Sequence, residues 1–225
     1  MTLVIAHRGA SARYRENTVE AFEGAAAMGA DWVELDVRRT ADGALIVHHD
    51  PAIDGVDLIT MSAADVPDHV PSLAAALEAC GEMGVNIEIK NDPNEPDYDD
   101  EHTIVEPTIR EALKIVPRDR LLFTSFDMGA VNRVHDLDDR LATGFITMDR
   151  VGVEVSVGRA SAHAHASINP HDPLVTPRFV NAAHEAELVV YPWTVDDPDR
   201  MAEMIELGVD GIITNTPDVL RNLLD

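Results

Sequence analysis

A (β/α)8 barrel is the fold this chain predicts, and three features of the sequence lead to it. Short runs rich in β-branched and aliphatic residues alternate with helical stretches throughout, the pattern of parallel strands joined by crossover helices. Roughly eight of those runs are each followed by a helix or a long connection, the number such a barrel needs. A chain of 225 residues at 45% apolar composition supports one large core better than two small ones. Residues 1–225 are therefore read as a single domain.

Leu3–His7 reads as the first strand. Asn17 to Met28 follows as a helix, with Asn17 or Thr18 at the N-cap and Gly29 just past its end. Trp32–Val37 is the second strand, in which Val33, Leu35 and Val37 alternate with Glu34 and Asp36, giving one apolar and one acidic face. Asp42-Gly43 signals a two-residue hairpin turn, which would set Asp36 directly opposite His49. The chain returns through Leu45–His49 as a short β-hairpin and then runs to Pro71 as an excursion punctuated by Pro, Asp and Gly. Ser72–Gly81 is helical, and Val85–Lys90 is the third strand, with Asn86, Glu88 and Lys90 as its polar set. Asn91–Glu101 is an acidic connection, Thr103–Val116 a helix, and Leu121–Ser125 the fourth strand. Leu141–Ile146 and the small-residue run Ala160–Ile168 are read as the fifth and sixth strands. Pro177–His184, Leu188–Trp193, Pro198–Leu207, Gly211–Thr214 and Pro217–Leu224 then read as helix, strand, helix, strand, helix.

The charge excludes some partners. Forty-one acids against 17 bases, a formal net charge of −24, leave no basic footprint for nucleic acid or an anionic membrane. Only Lys90 and Lys114 among the bases are lysines, and an acid-rich, lysine-poor surface suits high salt, where screening blunts self-repulsion. The single cysteine, Cys80, lies in a helical pattern, so no disulfide framework is expected and a reducing, cytoplasmic setting fits. No signal-like n-region and h-region opens the chain and no run approaches 18 apolar residues. Secretion and stable membrane association are not expected.

In such a barrel, polar residues at the C-terminal strand ends converge on its mouth. His7, Glu34, Asp36, Glu88, Lys90, Ser125 and Trp193 lie at or near those ends. Three carboxylates from two strands repel one another unless protonated or bound to a cation, and an all-oxygen set selects Mg²⁺ or Ca²⁺ over zinc. Arg8 and Lys90 would neutralise an anion, and two histidines can exchange protons across it. Together these groups describe phosphoryl chemistry on a small-molecule substrate. Ser125 lacks the flanking glycines of a nucleophile elbow and is read as a rim hydrogen-bonder. His163, His165 and His171 are read as rim or solvent positions and not as a zinc site. His48 alternates away from His49, while Glu16 and Asn17 either cap the first helix or join the site.

The runs His7-Arg-Gly9, Glu16-Asn-Thr18, Glu34-Leu-Asp36, Asp42-Gly43, Val47-His-His-Asp50, Asn86-Ile-Glu-Ile-Lys90, Ser125-Phe126, Trp193-Thr-Val195 and Gly208-Val-Asp-Gly-Ile-Ile-Thr214 resemble, in order, the motifs of the glycerophosphodiester phosphodiesterases. The resemblance implies a (β/α)8 barrel and metal-dependent hydrolysis of glycerophosphodiesters to glycerol phosphate and an alcohol. By motif it implies that His7 and His49 are the general acid/base pair, that Glu34, Asp36 and Glu88 are the metal ligands, that Arg8 and Lys90 hold the phosphate, and that Trp193 lines the substrate end. Arg15 and Asn215 depart from the family pattern, and both are expected to be peripheral. The segment between His49 and Pro71 is shorter than the insertion many members carry. A phospholipase-type phosphodiesterase acting on lysolipid or intact lipid is the rival enzyme reading. A non-catalytic binding barrel is the rival outside enzymes, disfavoured because ligand capture alone needs no acid/base couple.

Overall fold

The computed structural model describes residues 2–148 and 152–225. Strand β1 (Leu3–His7) leads through α1 (Val19–Ala27) to β2 (Trp32–Arg39), from which β3 (Leu45–Val47) folds back and a small ribbon, β4 (Ala52–Ile53) and β5 (Val56–Asp57), follows. The alternation then resumes with α2 (Leu73–Ala79), β6 (Gly84–Ile89), α3 (Val105–Ile115), β7 (Leu121–Ser125), α4 (Met128–Leu137) and β8 (Ala142–Thr147). It finishes with α5 (Val153–Ala162), β9 (Ser167–Pro170), α6 (Pro177–Glu185), β10 (Val189–Val190), α7 (Pro198–Leu207), β11 (Gly211–Thr214) and α8 (Pro217–Leu224).

The eight major strands run in the order β10-β9-β8-β7-β6-β2-β1-β11, and β3 hangs from β2 as an antiparallel extra. Between β10 and β11 no ladder forms among the described residues; single backbone bonds cross that seam, Asp210 N donating to Val190 O at 3.1 Å and Ile213 N to Pro192 O at 2.9 Å. The result is a nearly closed parallel barrel, and the expected fold is borne out. Outward-facing Val33, Leu35, Val37, Val85, Ile87 and Ile89 are buried beneath the helical ring, as strands covered on both faces must be. Each fully buried Leu or Phe contributes about 1.5–3 kcal/mol. The packing of helix on strand therefore holds the barrel, leaving its interior free to carry polar groups.

Local chemistry explains the element ends. The Thr18 hydroxyl accepts from Ala21 N, making Thr18 the N-cap of α1, and Gly29 beyond the helix sits at φ +78°. The β2–β3 connection differs from the expected two-residue turn. Val37 faces Val47 and Arg39 faces Leu45, so the loop holds one residue more, with Gly43 at φ +81° completing a three-residue turn. Asp36 consequently pairs with His48, whose N donates to Asp36 O at 3.0 Å, and His49 lies one residue beyond the expected register. The run Ala160–Ile168 is not one strand: α5 continues to Ala162 and only Ser167–Pro170 is extended. Alanine and serine carry no β-branch to favour extension, and Val157 and Ala160 share the buried face of α5. The expected strand Leu188–Trp193 is likewise shorter, with Val189–Val190 in the ladder and Trp193 joined to His171 by an isolated bridge.

Candidate active site

Sequence-neighbouring glycine and arginine shape the rim around β1. Gly9 is at φ +81°, and a Cβ there would sit 2.6 Å from the carbonyl carbon of Ala21, so only glycine lets the loop after β1 press against α1. That tight turn brings Arg8 N to within 3.0 Å of Glu34 Oε2 and leaves the Arg8 side chain over the mouth. Its guanidinium lies 3.2 Å from Asp36 Oδ2 and donates to both oxygens of Glu16 at 3.0 and 3.1 Å.

Glu34, Asp36 and Glu88 converge as the sequence led one to expect, each offering a carboxylate oxygen within 4.8 Å of the others. The β2–β6 register, which sets Asp36 beside Glu88, produces this convergence. Glu34 is pushed well above the usual carboxylate range, by burial first and then by Asp36 and Glu88. Glu88 rises as well, because burial outweighs the help from Lys90. For Asp36 burial acts in the same direction, but Lys90, Arg8 and a hydrogen bond from Asn17 at 2.7 Å bring it down to about 2. Lys90 Nζ donates to Glu88 Oε1 at 2.8 Å and lies 3.5 Å from Asp36 Oδ1. Against burial, those two acids hold its ammonium charged well past the usual lysine range. Glu34 Oε1 and Asp36 Oδ1 are buried with no hydrogen-bond donor. Orphaned carboxylate oxygens in an all-oxygen cluster fit a hard divalent cation, and these three side chains are the ones that would hold it.

The histidines flank this cluster. His7 presents Nε2 at 4.0 Å from Glu34 Oε2, while its Nδ1 lies 2.8 Å from Asn215 Oδ1. Burial first, and the Arg8 charge second, push His7 below the usual imidazole range. His49 stands beyond the end of β3 with Nδ1 2.8 Å from Asp50 Oδ1, a contact that lowers the Asp50 carboxyl. His7, Arg8, Glu34, His49, Glu88 and Lys90 share one wall of a cavity of about 150 Å³. The facing wall is apolar, with Phe126, Ile146, Trp193 and Ile213, and the amides of Asn86 and Asn169 complete the lining. Trp193 is positioned by its Nε1, which donates to Asn169 O at 2.9 Å, and meets the Phe126 ring edge-to-face at 5.4 Å.

Similarity to known proteins extends over nearly the whole chain. The glycerophosphoryl diester phosphodiesterase family model matches residues 7–219. The chain belongs to that family. Membership places it among the phosphoric diester hydrolases. A glycerophosphodiester phosphodiesterase of Caldanaerobacter subterraneus subsp. tengcongensis is 31% identical over 99% of this chain and 98% of its own. One of Bacillus altitudinis is 30% identical over 97% and 96%. Among solved structures, an Oleispira antarctica phosphodiesterase in complex with the product sn-glycerol-3-phosphate superposes with a TM-score of 0.90, covering 100% of this chain and 97% of that one at 22% identity, a likeness of fold.

Asn215, Arg38 and Ser125 escaped sequence reasoning or were misplaced by it, and the structure decides between the two roles left open for Glu16 and Asn17. Asn215, expected to be peripheral, is bonded to His7. Of the two roles open to Glu16 and Asn17 the second holds: Asn17 donates to Asp36, and Glu16 holds Arg8. Arg38 is fully buried and holds three partners: His49 O at 2.8 Å, Asp97 Oδ2 at 2.6 Å and Glu95 Oε2 at 2.8 Å. The parity of β2 places Arg38 on the same face as Glu34 and Asp36, and that signal was readable. Ser125 is not at the rim: it is buried, its Oγ donating to Ile89 O at 2.7 Å. His163 and His165 stack at 6.0 Å, His165 contacts Thr143 and Met128, and His171 lies against Trp193 at 4.9 Å. Among the described residues none of the three joins a metal-type cluster.

Proposed function

We propose that the protein hydrolyses small, soluble glycerophosphodiesters to glycerol phosphate and an alcohol with the help of one Mg²⁺ or Ca²⁺ ion held by Glu34, Asp36 and Glu88. The observation that carries this reading is the convergence of the three carboxylates at a cavity whose lining includes Glu34 and Glu88 together with His7, His49, Arg8 and Lys90. When bound, the ion polarises the phosphoryl oxygen and offsets charge gathering there. Arg8 and Lys90 bind the remaining phosphate oxygens as charge-assisted donors. One histidine takes the proton of the attacking oxygen, that of water or of the substrate's own glycerol hydroxyl by way of a cyclic phosphate that water then opens, and the other protonates the departing alcohol oxygen. The apolar wall around Trp193 orients the carbon skeleton and excludes bulk water. The Oleispira antarctica phosphodiesterase, which is in complex with the product sn-glycerol-3-phosphate, supports glycerol phosphate as a product here.

Among the described residues no helix is long and apolar enough to cross a membrane. The free, buried Cys80 is in keeping with the cytoplasmic setting proposed here. The test is kinetic. His7→Ala and His49→Ala are each expected to lower kcat by about 10²–10⁴-fold, with cation binding by calorimetry unchanged, and near-normal turnover of either variant overturns the assignment. Glycerophosphocholine assayed beside a lysophospholipid separates this reading from the lipid-directed one.

A further inference from the structure

Two motif ends have no part in the chemistry above: Asp196, which follows Trp193-Thr-Val195, and Asn215, which follows Gly211–Thr214. The fold brings them together beside β1, at the seam where β10 and β11 lack a ladder. Asp196 accepts from Asn215 N at 2.7 Å and Thr214 Oγ1 at 2.9 Å through Oδ1, and from Asn215 Nδ2 at 2.6 Å through Oδ2. A carboxylate bonded in this way can only accept. That decides which end of the Asn215 amide faces which way, a choice that shape alone leaves open: the NH₂ turns to Asp196 and the oxygen turns to His7.

The consequence passes to the imidazole. Asn215 Oδ1 has no proton to give, so at 2.8 Å from His7 Nδ1 it requires that nitrogen to carry the hydrogen. Ser11 Oγ, 2.7 Å from Asn215 Oδ1 and 2.8 Å from His7 O, donates to one or the other and leaves this direction unchanged. Neutral His7 then has its lone pair on Nε2, the nitrogen on the side of Glu34. His49 is arranged otherwise, with the carboxylate of Asp50 directly on its Nδ1 and more of the ring in solvent.

We propose that Asp196 and Asn215 are positioning residues, a carboxylate–amide relay that fixes His7 as its Nδ1–H tautomer and aims Nε2 into the cavity as a proton acceptor. This rests on the reading of His7 as a catalytic group. The relay differs from a bare structural tie across the seam in one respect: it dictates a proton position.

Two-bond ¹H–¹⁵N correlation spectra of histidine side chains in the metal-free protein, at mildly alkaline pH, read that position directly. Wild-type His7 should show the Nδ1–H pattern. Asp196→Asn keeps the shape but lets residue 196 donate, which frees the Asn215 amide to turn; His7 should then show both tautomers, and kcat should fall about 10–100-fold with KM within about twofold. Asn215→Asp sets two carboxylates face to face and should lose more. The double variant Asp196→Asn/Asn215→Asp restores a donor opposite an acceptor, and should recover the Nδ1–H pattern and most of kcat. An Nε2–H pattern in the wild type overturns the relay, as does an Asp196→Asn protein whose tautomer and kcat are unchanged while its melting temperature falls. If wild-type protein releases no glycerol phosphate, the functional reading fails, and the spectra still decide the relay.

Discussion

The two walls of the cavity are built by opposite rules. On the wall from β1, β2 and β6 the groups of the site are held by polar partners: Glu16 on Arg8, Asn17 on Asp36, Glu88 on Lys90, Arg38 on the backbone of His49. On the wall that carries Phe126, Ile146, Trp193 and Ile213, ring contacts and a single indole hydrogen bond suffice. The difference follows from desolvation. Burying an ion without partners costs several kcal/mol, whereas an apolar side chain gains from the same burial. On the proposed function, chemistry is confined to the wall where polar contacts fix the geometry, and substrate selection falls to the wall that can change without charge penalties.

The sharpest way to break this contrast is Asp36→Ala. Besides abolishing cation binding, it should lower stability by about 1–3 kcal/mol, because the buried Asn17 amide loses its acceptor while Arg8 and Lys90 each lose one counter-charge and keep Glu16 and Glu88. Urea denaturation reads this; a loss below about 1 kcal/mol would mean that the acidic wall is not an interlocked unit.

Next come matched substitutions on the two walls. Lys90→Met should reduce kcat/KM by about 10–100-fold through lost charge-assisted hydrogen bonds to phosphate. Trp193→Leu should cost only about 3–10-fold and do so unequally for glycerophosphocholine and glycerophosphoethanolamine. Equal losses for both head groups with Trp193→Leu would remove the division of labour.

A smaller effect lies outside the cavity, in His165. Burial first, then His163 and His135, bring its imidazole from 6.5 down to about 4. The folded state therefore resists the proton that the unfolded chain accepts. Its contribution to stability is complete above pH 6.5 and is lost as pH falls from there toward about 4. His165→Gln should flatten the stability profile in that window, measured by thermal melts. The smallest effect per residue belongs to the exposed acids: with a net charge of −24, molar KCl should raise the melting temperature by screening, and a melting temperature indifferent to KCl would show that the acidity has no bearing on salt.

The acidic wall was legible because its residues are chemically specific and lie at strand parity: no ordinary core asks for Glu34 and Asp36 two apart beneath helices. The apolar wall was largely hidden, since Ile146 and Ile213 read as any buried strand residue would. Asn215 was misjudged, and Asn17 left between two roles, because an amide announces neither charge nor periodicity, and its role depends on what the fold brings beside it. The register after β2 slipped by one residue for a local reason: Asp42-Gly43 fits a two-residue turn as well as a three-residue one, and the backbone of Asp42, which lacks the positive φ of a two-residue type I′ turn, distinguishes them. In α5, alanine-rich sequence was compatible with both extended and helical structure until packing decided.

The central claim, that the acidic wall is a cation-dependent phosphodiester-cleaving centre, is tested most directly by glycerol phosphate release from glycerophosphocholine by protein stripped of metal, then titrated with Mg²⁺ or Ca²⁺. Release should be absent after stripping, return in a saturable manner with one of the two ions, and stay absent in a Glu34→Gln/Glu88→Gln variant. Undiminished release from stripped protein, or full restoration in that variant, would contradict it.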